Sequence, residues 1–201
     1  MKKVLMTALV VLMTLSANAQ ALVVKSGSLK PLLQKDKTAA LTIDFSKAKM
    51  AELSKKELTD KLMMDYLKEK DPTTYNIWDK HVEECHDFFE ERWNDEKATA
   101  KIDDDKKADY TINVKFDYID FGSAGAATWS WSRKSGGVMM RGNVEVVAAD
   151  GTNVCTVEVN DFRGNATRGF DMKVPSFGRR MALFHKSLAK ELFDLAKKQK
   201  N

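Results

Sequence analysis

The chain has 201 residues, 43% of them hydrophobic, with 33 basic and 29 acidic side chains and two cysteines. That length and apolar content fit one domain with a sizeable core and exclude a disordered chain. The near balance of charge gives no basic footprint for nucleic acid, which requires a clustered positive surface.

The opening, MKKVLMTALVVLMTLSANAQ, sets two lysines before an apolar run from Val4 to Leu15, followed by small residues at Ala17 and Ala19. This is the pattern of a cleaved secretory leader over residues 1–19. The run is about a dozen residues, short of the roughly 20 that a membrane-spanning helix needs. No cysteine stands at the cleavage point for lipid attachment, so a periplasmic or released protein is expected. Loss of the leader takes Lys2 and Lys3, leaving 182 residues (20–201) as one domain, with 31 basic against 29 acidic side chains.

In chain order, KTAALTIDFS places Leu41, Ile43 and Phe45 at period two, a strand with one buried face. Ser54 to Glu57 form a capping box, and Leu58, Leu62 and Tyr66 supply the stripe of a helix that stops before Asp71-Pro72. A second helix is predicted from Thr74 to Glu96, with Trp78, Val82, Cys85, Phe89 and Trp93 on one side. Lys97 to Lys107, KATAKIDDDKK, reads as a charged loop. Its three aspartates lack the spacing and the glycine of a calcium loop.

ADYTINVKFDYIDF alternates Tyr110, Ile112, Val114, Phe116 and Tyr118 with polar residues, the clearest strand of the chain. Residues 138–162 read as a hairpin turning at Asp150-Gly151, with Val144, Val146 and Ala148 facing Cys155, Val157 and Val159 on the inner side. Pro175 and Ser176 open a last helix carrying Phe177, Met181, Phe184, Leu188, Leu192 and Leu195. Its basic end, KKQKN, suits the negative end of the helix dipole. Together these elements predict an α+β two-layer sandwich: a mostly antiparallel sheet of four to five strands with about three helices on one face.

Chemistry is sparse. HVEECHDFF gathers His81, Cys85 and His86, but at 100° per residue the two histidines fall on opposite edges of the apolar stripe, about 140° apart. Further soft ligands would have to come from Cys155 and His185, and no metal or other cofactor is expected. Cys85 and Cys155 both point inward, which leaves open either a disulfide or two independent buried thiols. No nucleophile elbow or phosphate loop is present, so an enzyme is not expected. One surface candidate stands out in SAGAATWSWSRKSGG: Trp129 and Trp131 share a face beside Arg133 and Lys134, and either continue the buried sheet face or bind a protein or a sugar ring.

The segments TIDFSKAKM, WDKHVEECHDFFEERWN, ADYTINVKFDYIDFG and GNVEVVAADG, in this order, resemble a group of small secreted proteins of Gram-negative anaerobes. More distantly, the order of strand, helix, strand, hairpin and terminal helix is similar to α/β-sandwich envelope lipoproteins, among them activators of cell-wall synthases and curli-secretion components. That resemblance implies a fold and a place in the envelope, and it transfers no catalytic residue. The expected function is therefore a non-enzymatic periplasmic or secreted protein that binds another envelope or secreted protein through a sheet edge or the Trp129/Trp131 surface. The alternative is a small-molecule or glycan binder that uses the same tryptophans for stacking.

Overall fold

The computed structural model describes residues 21–50, 77–97, 99–103, 107–120, 137–164 and 177–200. The expected leader, the helix expected after Ser54, and Trp129, Trp131, Arg133 and Lys134 lie outside the described residues. In chain order the elements are β1 (Leu22–Gly27), a 3-10 turn (Lys30–Leu33), β2 (Thr38–Asp44), β3 (Lys49–Met50), α1 (Ile77–Asn94), β4 (Lys101–Ile102), β5 (Tyr110–Asp120), β6 (Met139–Ala148), β7 (Asn153–Arg163) and α2 (Phe177–Lys200).

The strands form one seven-stranded sheet in the order β1-β7-β6-β5-β2-β4, with β3 also paired to β5. β1/β7, β7/β6 and β6/β5 are antiparallel, whereas β2/β5, β2/β4 and β3/β5 are parallel. The α+β class and the layering agree with expectation, but the sheet is mixed and larger than the four to five antiparallel strands expected. The cause is connectivity: α1 falls between β2 and β5 in the chain, and a crossover through a helix is what makes neighbouring strands parallel. Two α-helices lie among the described residues.

Alternation sets the two faces of the sheet. Ile112, Val114 and Phe116 of β5, Val144 and Val146 of β6, and Cys155, Val157 and Val159 of β7 are all buried beneath the helices. The opposite face carries polar rungs: Thr42 bonds Asn113 (2.6 Å), Lys115 pairs with Glu145 (2.6 Å) and Lys25 with Glu158 (2.6 Å). The β5 alternation breaks at a bulge between Phe116 and Tyr118, so that Ile119, instead of Tyr118, returns to the core. Opposite the bulge stands Gly142, where an added Cβ would lie 2.0 Å from the Lys115 carbonyl oxygen. Only glycine lets β5 and β6 approach that closely.

The hairpin turns where expected. Gly151, at φ +87°, donates its amide to the Ala148 carbonyl (2.9 Å), and the Asp150 carboxylate accepts from the Thr152 amide (2.9 Å).

On the inner face, α1 buries Trp78, Cys85, Phe89 and Trp93, and α2 buries Met181, Phe184, Leu188 and Leu192. The helices run side by side in the same direction: Gly178 abuts His81, Arg179 pairs with Glu84 (2.9 Å) and Lys186 with Glu91 (3.1 Å). An aromatic cluster joins helices to sheet, with Phe45 stacked on Phe116 (5.2 Å) and edge-on to Trp78 (5.5 Å), and Phe184 edge-on to Phe162 (5.2 Å).

The charged stretch expected to be a plain loop contributes β4. Its single branched apolar residue, Ile102, is buried, and Asn94 at the end of α1 holds the Ile102 backbone with both amide atoms (2.9 and 3.0 Å). Trp93 Nε1 donates to the buried Ala100 carbonyl (2.8 Å). No described helix is long and apolar enough to cross a membrane.

Candidate functional site

The residues that looked reactive in the sequence are held apart. His81 is half-buried against the start of α2, and a methyl group on Gly178 would fall 1.8 Å from its Nδ1. Burial lowers its pKa, partly offset by Glu84. His86 emerges on the other edge of α1, in an open groove of about 950 Å³ where Asp79, Glu83, Asp87 and Glu90 surround it above Ile43 and Val82. Its Nδ1 lies 3.8 Å from Glu90 Oε2. Among the described residues, no three His, Cys, Asp or Glu side chains gather as a metal would require.

Both cysteines are buried free thiols, and the disulfide considered from the sequence is not made. Both side chains point inward, as their alternation implies, but alternation carries no information on separation. α1 rests on β2 and β4, whereas Cys155 lies in β7, three strands from β2, about 14 Å by strand spacing. A disulfide needs Cα atoms within about 7 Å. Burial raises Cys85 well above the ordinary thiol range, with Glu84 adding to it, and pushes Cys155 up to about 11. Neither thiol is a thiolate near neutral pH, so neither is poised as a nucleophile.

His185 lies wholly inside. Its Nδ1 is 2.8 Å from the Met181 carbonyl, which can only accept, so this nitrogen carries the proton and Nε2 is left buried without a partner. The rings of Phe45, Phe116 and Phe184 meet the imidazole edge-on at 5.3–5.8 Å. Burial pulls its pKa down to about 4. This side chain belongs to the core.

Two surface features remain. The first is the outer edge of β1, which pairs with β7 and with no other described strand. The Asn160 amide bonds the Ala21 carbonyl (2.8 Å), so in the antiparallel alternation Val23 and Glu158 form the next hydrogen-bonded pair. The amides of Leu22 and Val24 therefore point away from the sheet.

The second is a cleft of about 290 Å³ lined by Arg92 of α1, Phe162 and Arg163 of β7, and Leu183, Lys186, Ser187, Lys190 and Glu191 of α2. A sheet edge is expected from the sequence but not located in it, and the cleft is not expected at all. β1 begins with a short apolar run that shows no alternation, and nothing in sequence spacing links positions 92, 163 and 186.

No family model matches the chain, and no curated protein matches it. Similar solved structures include the PelC dodecamer from Paraburkholderia phytofirmans, at 12% identity and a TM-score of 0.41, covering 85% of this chain and 97% of that one. A point variant of that dodecamer in another crystal form gives 11% identity and a TM-score of 0.38, covering 86% and 98%. Likeness of this degree carries no functional argument.

Proposed function

We propose that the protein is a non-enzymatic binding protein acting outside the cytoplasm, and that it takes up a strand or extended segment of a partner protein along β1. The observation that supports this reading is the outer edge of β1, which has no second strand beside it among the described residues and whose outward amides and carbonyls offer a partner main chain the hydrogen bonds of a further strand. The leader-like N-terminal pattern supports the compartment. The interior positions of Cys85, Cys155 and His185 fit a molecule that works by contact.

Val24→Pro tests it. The Val24 amide points outward, so proline there removes an edge donor and leaves the β1/β7 ladder intact. Partners cross-linked to the wild-type protein in an envelope extract are expected to be lost with the variant while its melting temperature changes little. Retention of the same partners by the folded variant would overturn the reading.

A further inference from the structure

We propose that the segment taken up along β1 is short and acidic: it adds antiparallel to β1, with acidic residues ahead of two apolar residues that sit two positions apart. This goes further than the strand-edge reading and rests on it.

The edge is short. The β1/β7 register shifts between Val24 and Ser26, and Gly27, at φ +69°, lies so close to β7 that an added Cβ would stand 1.9 Å from the Val154 carbonyl oxygen. A straight partner strand therefore pairs only with Leu22 to Val24. Residues opposite one another in adjacent strands share a face, and Leu22 and Val24 lie opposite Val159 and Val157, both buried beneath the helices. Partner residues opposite Leu22 and Val24 consequently face the helix layer, and the one between them faces outward beside Val23.

The helix on that side is α2. Phe184 is edge-on to Phe162 of β7 (5.2 Å), and near the other end of the helix Gln199 Oε1 accepts the Leu29 amide (2.8 Å) just beyond β1. Glu191, Leu195 and Lys198 follow Phe184 at helical spacing on the same side. Leu195 and Val24 are both half-buried at the margin of the core, so an apolar partner residue between them removes further apolar surface from water.

Charge sets the direction. Lys30 follows Leu29 and Lys198 precedes Gln199, so both stand where β1 ends; both are exposed and have no carboxylate partner among the described residues. Lys25, held by Glu158 (2.6 Å), adds a third cation at this end. Glu191 lies two turns back along α2, toward Leu22. An antiparallel strand brings its N-terminal residues to the Gly27 end, where acidic side chains meet the lysines. The α2 dipole favours cations in its last turn, but Lys25 and Lys30 belong to other segments.

Backbone amide shifts during titration with acetyl-EEVTVT-amide test this, with KKVTVT and EETSTS in the same blocked form as comparators. EEVTVT is expected to shift Leu22, Val24, Leu195 and Lys198 saturably. Each comparator is expected to bind about tenfold more weakly at low salt, and the gap to KKVTVT is expected to narrow at about 0.5 M salt. The double variant Lys30→Glu with Lys198→Glu, at two exposed positions, is expected to prefer KKVTVT.

Equal binding of KKVTVT or EETSTS, or an unchanged preference in the folded double variant, would overturn the proposal; where Val24→Pro abolishes that binding, the strand-edge reading stands. Binding of EEVTVT that survives Val24→Pro would overturn both. The absence of any saturable shift with EEVTVT would overturn the proposal as well, while cross-linking of partners to the wild-type protein decides the strand-edge reading separately.

Discussion

His185 shows how a single side chain couples the core to solution conditions. Its folded pKa of about 4 compares with about 6.5 in an unfolded chain. Between those values the unfolded chain takes up a proton that the folded protein refuses. The stability tied to this residue is therefore fully present above pH 6.5 and is lost as the pH falls toward 4. At pH 4.5 the loss relative to pH 7 amounts to about 2–3 kcal/mol. His81, also lowered by burial, acts in the same direction. The carboxylates Asp44, Asp109, Asp150 and Glu158, lowered by their hydrogen bonds, are common to wild type and variant and cancel in the comparison. His185→Phe places a ring of similar shape among Phe45, Phe116 and Phe184. Urea unfolding at the two pH values is expected to give a difference smaller in the variant by about 2–3 kcal/mol. An equal difference in both proteins would mean that the native imidazole protonates as freely as an exposed one.

At the scale of elements, the close approach of β5 and β6 rests on Gly142. A methyl group there would meet the Lys115 carbonyl oxygen at 2.0 Å and the Phe116 Cα at 2.8 Å, both main-chain atoms that cannot swing aside. Gly142→Ala is expected to cost about 1–3 kcal/mol, as overpacking does, visible as a lower urea midpoint at unchanged slope. A midpoint equal to wild type would show that the two strands have room to separate.

The same region marks the limit of what alternation reveals. Ile112, Val114 and Phe116 are plainly inward in the sequence, and so are both arms of the 139–163 hairpin. The bulge after Phe116 is invisible there, because it depends on a glycine 26 residues away. β4 escapes notice for a related reason: two residues are too few to show a period, and Asn94 is what fixes them. The α1 and α2 stripes were legible because each is long and shows its apolar side at every turn.

At the scale of the molecule, connectivity decides more than pattern. The helical crossover between β2 and β5 makes one half of the sheet parallel, while the hairpin makes the other half antiparallel. That order puts β7 three strands from β2, separating two inward thiols that side-chain direction alone would have allowed to meet. The candidate surfaces share this dependence on the whole fold. β1 becomes an edge only because β7 is its sole described neighbour, and the cationic cleft exists only where three distant segments meet.

The open edge is tested most directly by amide hydrogen exchange in the isolated protein. Val23, which faces Glu158 in the ladder, is expected to exchange slowly, and Leu22 and Val24 on either side of it quickly. Equal, strong protection of all three amides in the isolated protein would contradict it, because the edge would then already be covered.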